Sequence, residues 1–294
     1  MNDARKIASP LAGRRVLVTR AAHQAGKLSE GLRALGMEPV EAGVIEIRPP
    51  LDFAPLDLAL RSLSNYDWLI LTSANTVHAL ADRATSLGIS LAAVPHLKVA
   101  AVGEATATAA RAAGLPVALV PETYIAESLV AEVLNAAGLG SADFLKGHGF
   151  SRANQPEKGS GALAPEGNLS GQRFLIARAS IARDVIPDAL RVAGATVDVV
   201  DAYRNVMPES APALLREALQ KGIAAAAFTS SSTVTHLADA ARQAGIAFPF
   251  AGVAAISIGP ITSRTLRDLG WEPAAEAIQS DVPGLIQAIA RALG

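Results

Sequence analysis

The sequence predicts an α/β protein with two domains, each built around a doubly wound parallel sheet. A chain of 294 residues is long for one hydrophobic core and suits two domains of ordinary size. Short runs rich in Val, Ile, Leu and Ala alternate with segments whose apolar residues recur at helical spacing. Strands that are buried on both faces and alternate with helices are typical of parallel sheets covered by helices on both sides.

The second half of the chain repeats the first half. Three pairs of segments align in the same order at offsets of 155 to 158 positions: 14–50 with 172–208, 66–80 with 223–237, and 99–117 with 254–273. This common order indicates an internal duplication. The repeat by itself is compatible with two sequential domains or with domains that exchange segments.

Each repeated segment has the same order of elements. A buried run predicts a strand, a polar or glycine turn follows, and apolar positions such as Leu28, Leu32 and Leu35 predict a helix. A glycine then suits the left-handed position just beyond the helix C-terminus. The glycines placed in this way are Gly36, Gly88, Gly114, Gly194, Gly245 and Gly270.

Three stretches depart from this order. IEIRPP (45–50) and AYRNVMP (202–208) contain proline, which cannot donate to a central sheet ladder, so both are interpreted as extended connectors between domains. Residues 141–170 are rich in Gly, Pro, Ser and Lys without apolar periodicity, which predicts a flexible insert.

The composition excludes several kinds of site. The net charge of −1 and the aromatic content of 4% provide neither a field that attracts nucleic acid nor a surface on which bases could stack. No cysteine occurs, so there is no disulfide and no thiolate metal site. The sequence contains no GxGxxG after the first strand, no Walker motif and no GxSxG, and its five histidines show no metal-ligand spacing with carboxylates.

The sequence also predicts a cytoplasmic protein that does not bind membranes. The N-terminal residues lack the apolar core of a signal peptide, and no run of about 18 apolar residues occurs. A chain without cysteine fits a reducing compartment.

Hydroxyl and amide side chains follow the strand of the second repeated segment in each half. The two clusters are Thr72, Ser73 and Asn75 in the first half, and Thr229, Ser230 and Ser231 in the second half. Such side chains cap helices, and the N–H groups at a helix start bind anionic oxygens. Because ligands of open α/β sheets lie at the carboxyl ends of strands, both clusters are candidate binding residues. The alternative is that the hydroxyls only cap helices.

The strand of the third repeated segment is also followed by a polar turn in each half. Gly103 and Gly259 would let a ligand approach the backbone, and Thr106 and Thr262, three residues later in each case, can cap a helix or donate to a ligand.

Arg20 and Arg178 follow the first strand of each half. The two-pronged donor of arginine suits a carboxylate, although a solvated loop or an internal ion pair is the alternative. Together with the hydroxyl turns, these residues predict a receptor for a small molecule that carries several carboxylates.

Tyr203 lies in the second connector, and the matching residue in the first half is Ile45. A phenol can donate a proton to a departing oxygen, so Tyr203 is a candidate catalytic residue. The alternative is a tyrosine that packs between two connector strands.

These segments resemble the uroporphyrinogen-III synthase family. The resemblance is found in VLVTR, LTSANTVHAL, AVGEATATAA, AYRNV, FTSSSTV and ISIGPITSRTL, and it extends over residues 13–293 apart from the insert. It implies two flavodoxin-like domains joined by a two-stranded linker. The ranges implied are 1–44 with 208–294 for domain one, 51–198 for domain two, and 45–50 and 199–207 for the linker strands.

The resemblance also implies a reaction and its residues. The substrate would be hydroxymethylbilane, which loses its hydroxyl as water and closes to uroporphyrinogen III through a spiro intermediate that inverts ring D, without a cofactor or metal. Tyr203 would assist the leaving group, and Thr106 would act at the GxAT turn. Thr262 occupies the equivalent place, but Ile261 stands where relatives often have another threonine.

The partners expected on this basis are the small-molecule substrate and, transiently, hydroxymethylbilane synthase, with no nucleic acid and no membrane. The protein is expected to be a monomer. An alternative function is a non-catalytic two-domain binder or sensor of a polycarboxylate small molecule, which would bind without turnover.

Overall fold

The computed structural model describes residues 10–121, 126–136, 169–182 and 184–294. Helices alternate with strands throughout these ranges, and the strand pairs that form the body of both sheets are parallel. The predicted α/β fold with parallel sheets is confirmed. Every helix in the described ranges is too short or too polar to span a membrane.

The strands are β1 (Arg15–Val18), β2 (Glu38–Glu41), β3 (Glu46–Arg48), β4 (Trp68–Leu71), β5 (Lys98–Ala101), β6 (Val117–Leu119), β7 (Arg173–Ala179), β8 (Thr196–Val206), β9 (Ala225–Phe228), β10 (Ala254–Ser257) and β11 (Ala275–Glu276). The helices in the described ranges are α1 (Ala22–Ala34), α2 (Ala54–Arg61), α3 (Ala74–Ser86), α4 (Glu104–Ala112), α5 (Ala126–Ala136), α6 (Val185–Val192), α7 (Ala211–Gln220), α8 (Ser231–Ala244), α9 (Pro260–Asp268) and α10 (Val282–Leu293).

The chain divides into two compact units. Unit 1 consists of Met1–Ile47 and Asn205–Gly294, and unit 2 consists of Arg48–Arg204. The domain ranges implied by the family resemblance, 1–44 with 208–294 and 51–198, stay predictions.

The strand order of unit 1 is that of a flavodoxin-like sheet. Its five strands lie in the order β2-β1-β9-β10-β11, which is 2-1-3-4-5 when they are numbered along the chain. The sheet of unit 2 has the order β3-β8-β7-β4-β5-β6. If β7, β8, β4, β5 and β6 are numbered 1 to 5, the order of these five strands is also 2-1-3-4-5. The two sheets therefore share one topology but begin at different points of the chain.

The core of unit 1 has two layers, one on each face of the sheet. Along β9, Ala225 and Ala227 pack with Leu28 and Leu285 on one face, whereas Ala226 and Phe228 point to the other. This alternation follows from the two-residue period of a strand, and the small alanines bring both helix layers close to the sheet.

The core of unit 2 is centred on β4, which is buried along its whole length. Trp68 of β4 stacks on Phe174 of β7 with ring centroids 6.0 Å apart, and both belong to one apolar cluster with side chains of α5 and α6. A strand buried on both faces explains why the sequence WLIL shows no polar alternation.

The predicted flexible insert, 141–170, lies outside the described residues except for Leu169 and Ser170. Leu169 is fully buried, and its N–H donates to the carbonyl of Ala193 at 2.9 Å. Leu169 is therefore part of the packed structure of unit 2.

One strand contains most of the second predicted linker, residues 199–207. β8 runs without a break from Thr196 to Val206, so residues 199–206 continue a strand of the sheet.

All six glycines predicted beyond helix C-termini have positive φ angles, between 66° and 91°. A side chain at such a position would be strained, so this prediction is confirmed.

Candidate active site

The residues predicted for the site all follow the carboxyl ends of parallel strands or lie near those ends. In unit 2 they are Thr72, Ser73, Asn75, Gly103, Thr106, Arg178 and Tyr203, and in unit 1 they are Arg20, Thr229, Ser230, Ser231, Gly259 and Thr262. Each unit therefore presents a set of polar turns at one edge of its sheet, where open α/β sheets bind ligands.

Ser73 starts α3. Its backbone is extended, and its Oγ accepts a hydrogen bond from the Thr76 N–H at 3.2 Å. The Oγ1 of Thr76 lies 3.0 Å from the same Ser73 Oγ, and Thr76 is fully buried. Ser73 is thus an N-cap whose hydroxyl is fixed by two groups of one residue.

Tyr203 of β8 contacts this cap directly. Its side chain is 6% exposed, and its phenol oxygen lies 3.1 Å from the Ser73 Oγ. Its carbonyl accepts a hydrogen bond from the Ser180 N–H at 2.9 Å. The structure thus brings together two residues that are 130 positions apart in the sequence.

A bulge in β8 determines the face of the sheet on which the Tyr203 side chain lies. Arg178 of β7 pairs with Asp201, but the next residue, Ala179, pairs with Tyr203, so Ala202 is an extra residue. Since side chains alternate along a strand, one extra residue moves the following side chain to the opposite face. The order β8-β7-β4 places β7 between Tyr203 and the turn after β4, so the phenol spans the end of β7.

The turn after β5 starts α4 at Gly103, whose φ of 95° favours glycine. Thr106 in the first turn is buried, and its hydroxyl donates to the Val102 carbonyl at 3.3 Å. Its donor is therefore used within the protein, and its oxygen offers a ligand only an acceptor. A catalytic role for Thr106 stays a prediction.

Arg178 forms an internal ion pair, which was the alternative to a ligand-binding role. Its Nη2 lies 2.7 Å from Oδ1 of Asp184, and the side chains are 13% and 60% exposed, respectively. Arg178 and Thr72 also line a cavity of about 150 Å³ together with the first turn of α6. A carboxylate entering this cavity would compete with Asp184 or share the guanidinium with it.

The turn after β9 in unit 1 repeats the cap of unit 2. The Ser230 Oγ accepts from the Thr233 N–H at 3.3 Å, and the Ser230 N–H donates in return to the Thr233 Oγ1 at 3.3 Å, as in a capping box. The Oγ of the next residue, Ser231, accepts from the Thr265 hydroxyl at 2.8 Å. Ser231 therefore joins the start of α8 to α9, while Thr229 is partly buried beside it.

The turn after β10 is tightly packed. A Cβ on Gly259 would lie 2.6 Å from the Ser280 Oγ, so a larger residue would displace that hydroxyl. Behind the turn, the buried Ser263 hydroxyl links Ser257 to the Glu276 carboxylate. The buried Thr262 lies in the first turn of α9.

Arg20 differs from Arg178 in its surroundings. It is partly buried, and this burial lowers the pKa of its guanidinium from its ordinary value. Within the described ranges it forms no ion pair. An arginine stays protonated in proteins, so burial costs it hydration that no described carboxylate replaces, and an incoming anion would be favoured there.

Some residues of the site were not predicted from the sequence. Thr76 lies within the quoted stretch LTSANTVHAL, and the Ser-x-x-Thr spacing that it shares with Thr233 would have indicated a capping contact. Asp184 and Thr265 have no such signal, because each meets its partner only after folding. In the part of the chain that the structure describes, no three His, Asp or Glu residues gather as a metal site would need.

The fold and the site together define a class of protein. It is an α/β protein with two flavodoxin-like sheets. The helix starts at the carboxyl edge of each sheet carry neutral polar groups and an arginine, and unit 2 has a buried phenol at this edge.

Comparison with known proteins identifies the family within this class. The family model for uroporphyrinogen-III synthase HemD matches residues 26–140 and 134–287. A uroporphyrinogen-III synthase of Synechococcus elongatus is 34% identical over 288 residues, which cover 95% of this chain and 96% of that protein. The chain therefore belongs to the uroporphyrinogen-III synthase HemD family, and the resemblance read from its sequence is confirmed.

Solved structures of the family share the fold. The crystal structure of a mutant uroporphyrinogen III synthase from Thermus thermophilus aligns with a TM-score of 0.61 at 20% identity, covering 96% of this chain and 99% of that chain. That of the Helicobacter pylori protein aligns with a TM-score of 0.57 at 18% identity, covering 96% and 100%. The prediction of two flavodoxin-like sheets agrees with this likeness.

The burial of Arg20 without a described ion pair predicts an unusual effect on stability. Arg20→Met should leave Tm unchanged or raise it, because it removes a charge whose hydration is lost on folding. Thermal unfolding followed by circular dichroism measures this effect. Arg264→Met, at an exposed arginine that forms no ion pair among the described residues, controls for the loss of one positive charge. A fall in Tm of several degrees for Arg20→Met alone would show that the guanidinium stabilises the fold.

Proposed function

We propose that this chain is a uroporphyrinogen-III synthase, which converts hydroxymethylbilane to uroporphyrinogen III with loss of water and inversion of ring D. The observation on which the proposal rests is the buried Tyr203 phenol, 3.1 Å from the N-cap hydroxyl of α3 at the carboxyl edge of a flavodoxin-like sheet. Because the chain belongs to the uroporphyrinogen-III synthase family, hydroxymethylbilane is the substrate on which the phenol is proposed to act.

Tyr203 acts on the leaving group in this proposal. Its O–H donates a proton to the hydroxyl of the substrate while the C–O bond breaks, so the group departs as water. The electron pair on the adjacent pyrrole nitrogen moves toward the exposed carbon and gives an azafulvene. The substituted carbon of ring D attacks that carbon and forms the spiro intermediate.

The later steps return the proton that Tyr203 gave up. The spiro intermediate fragments and recombines with ring D inverted, and loss of a ring proton restores the aromatic pyrrole. That proton balances the one donated to water, so the enzyme ends unchanged. The reacting electrons belong to the pyrroles throughout, and the protein orients a flexible chain and assists departure of the hydroxyl.

The carboxylates of the substrate bind at the polar helix starts. The partial positive charge at the starts of α3, α4, α8 and α9 attracts anionic oxygens without adding net charge. Arg20 supplies a cation that has no described ion pair, and Arg178 supplies one that Asp184 partly neutralises. The net charge of −1 makes such local donors necessary for a substrate with several carboxylates.

Thr72, Asn75, Thr106, Thr229, Ser231 and Thr262 complete the proposed binding surface. Gly103 and Gly259 belong to the same surface, although the Ser280 hydroxyl occupies the space into which a side chain at Gly259 would extend. A monomeric state and transient contact with hydroxymethylbilane synthase belong to the same proposal. The expected lack of a cofactor follows from the family's reaction.

The first prediction concerns the product. Incubation with enzymatically made hydroxymethylbilane, followed by oxidation and isomer analysis, should give mainly the type III isomer. Type I alone, the isomer that forms spontaneously, would contradict the proposal. Binding of uroporphyrinogen without any type III product would favour the alternative of a non-catalytic binder or sensor.

The second prediction concerns Tyr203. Tyr203→Phe should lower kcat by about 10²–10⁴, the usual contribution of general acid catalysis, with KM changed little because the ring remains in place. Steady-state kinetics of type III formation measures both constants.

Tyr66→Phe is the matched control for that substitution. Tyr66 is also a buried tyrosine of unit 2, and its phenol donates to Asp198 at 2.8 Å, away from the polar turns. Its loss should lower stability while kcat stays near the wild-type value. Equal loss of kcat in both variants, or none in Tyr203→Phe, would remove Tyr203 from the mechanism.

A further inference from the structure

We propose that Ser73 is a positioning residue for Tyr203. The Ser73 hydroxyl, at the start of α3, donates a hydrogen bond to the phenol oxygen of Tyr203 and thereby directs the phenol proton toward the substrate. This inference rests on the proposed function, because the direction of the Tyr203 O–H bond matters only if the phenol donates its proton to the substrate. It also changes the role of Ser73 from a group that binds a carboxylate to a group that acts through another residue.

The hydrogen-bonding capacity of the Ser73 hydroxyl supports this direction. A serine hydroxyl has one proton and two acceptor lone pairs. One lone pair accepts from the Thr76 N–H at 3.2 Å, and the Thr76 hydroxyl lies 3.0 Å from the same oxygen, within reach of the second. When Thr76 donates to Ser73, the Ser73 proton is left for the phenol oxygen 3.1 Å away. The proton of Tyr203 can then point outward.

The position at a helix start reinforces this effect. The N–H groups of the first turn of α3 give its N-terminus a partial positive charge. Negative charge that develops on the phenol oxygen during proton donation is therefore stabilised through the Ser73 hydroxyl. The donor is preorganised, because the cap geometry and the bulge in β8 fix both partners before any ligand binds.

Unit 1 provides an internal comparison. Ser230 and Thr233 repeat the cap, but there the Thr233 hydroxyl donates to the Ser230 carbonyl at 2.6 Å rather than facing the serine hydroxyl. The residue that matches Tyr203 in the sequence repeat is Ile45. The chain of three hydroxyls therefore occurs in the unit that has the tyrosine, which a cap needed only for helix stability does not explain.

Ser73→Gly is the variant that tests the inference, because glycine replaces a serine N-cap with little loss of stability and removes the hydroxyl. We expect kcat to fall by about tenfold, the effect of losing one hydrogen bond to a developing charge, with KM within about twofold. Ser73→Thr, which restores a hydroxyl at the cap, should recover most of kcat.

A double-mutant cycle shows whether Ser73 acts through Tyr203. In the Tyr203→Phe background, Ser73→Gly should lower kcat no further, because the group that it positions is gone. An equal fall in both backgrounds would overturn the inference and indicate a separate effect. A rise in KM with kcat unchanged would overturn it in favour of substrate binding.

A spectroscopic arm tests the contact without any turnover. The ¹³Cζ resonance of Tyr203, assigned by its absence in Tyr203→Phe, should shift in Ser73→Gly and stay in place in Ser230→Gly, which removes the equivalent cap of unit 1. An unchanged resonance in Ser73→Gly would overturn the contact. If the wild type makes no type III isomer, the proposed function fails, while this resonance still decides whether Ser73 bonds to Tyr203.

Discussion

In the body of both sheets the strands run parallel. These strands therefore bring their carboxyl ends, and the turns that follow them, to the same edge. Parallel strands are joined by right-handed crossovers, and this repeated geometry places the polar helix starts and the arginines of unit 1 and unit 2 at equivalent positions. The polar turns need no net positive charge to bind an anion, because their donors are backbone N–H groups and hydroxyls. The chemistry proposed for the chain depends on this arrangement of neutral donors.

The two units share this geometry but differ at the group that is proposed to react. Unit 2 has the bulge in β8, the buried Tyr203 and the hydroxyl of Ser73 within reach of it. Unit 1 has Ile45 at the matching position and uses its hydroxyls to join α8 to α9 through Ser231. The candidate acid thus lies in unit 2, while each unit by itself presents polar helix starts at one edge of its sheet.

Much of this architecture could be predicted from the sequence, because the spacing of apolar residues and the residues that begin or end a helix are local properties. The buried run WLIL, the cap at Ser73 and the glycine at Gly88 each follow from a few neighbouring residues. The bulge at Ala202 could not be predicted, since it exists only in the register between β7 and β8. The ion pair of Arg178 with Asp184 and the contact of Ser73 with Tyr203 likewise depend on distances set by folding, so arginine and tyrosine were recognised as candidates without their partners.

The central claim is that the Tyr203 phenol supplies the proton with which the hydroxyl departs, and the leaving group itself tests this claim most directly. In a bilane whose terminal hydroxymethyl group is replaced by aminomethyl, the amine is already protonated at neutral pH and needs no acid to leave. Single-turnover rates should therefore be nearly equal for the wild type and Tyr203→Phe with this analogue, although they differ by about 10²–10⁴ with the hydroxyl substrate. The same large difference with both substrates would contradict the account, because the phenol would then be acting on something other than the departing group.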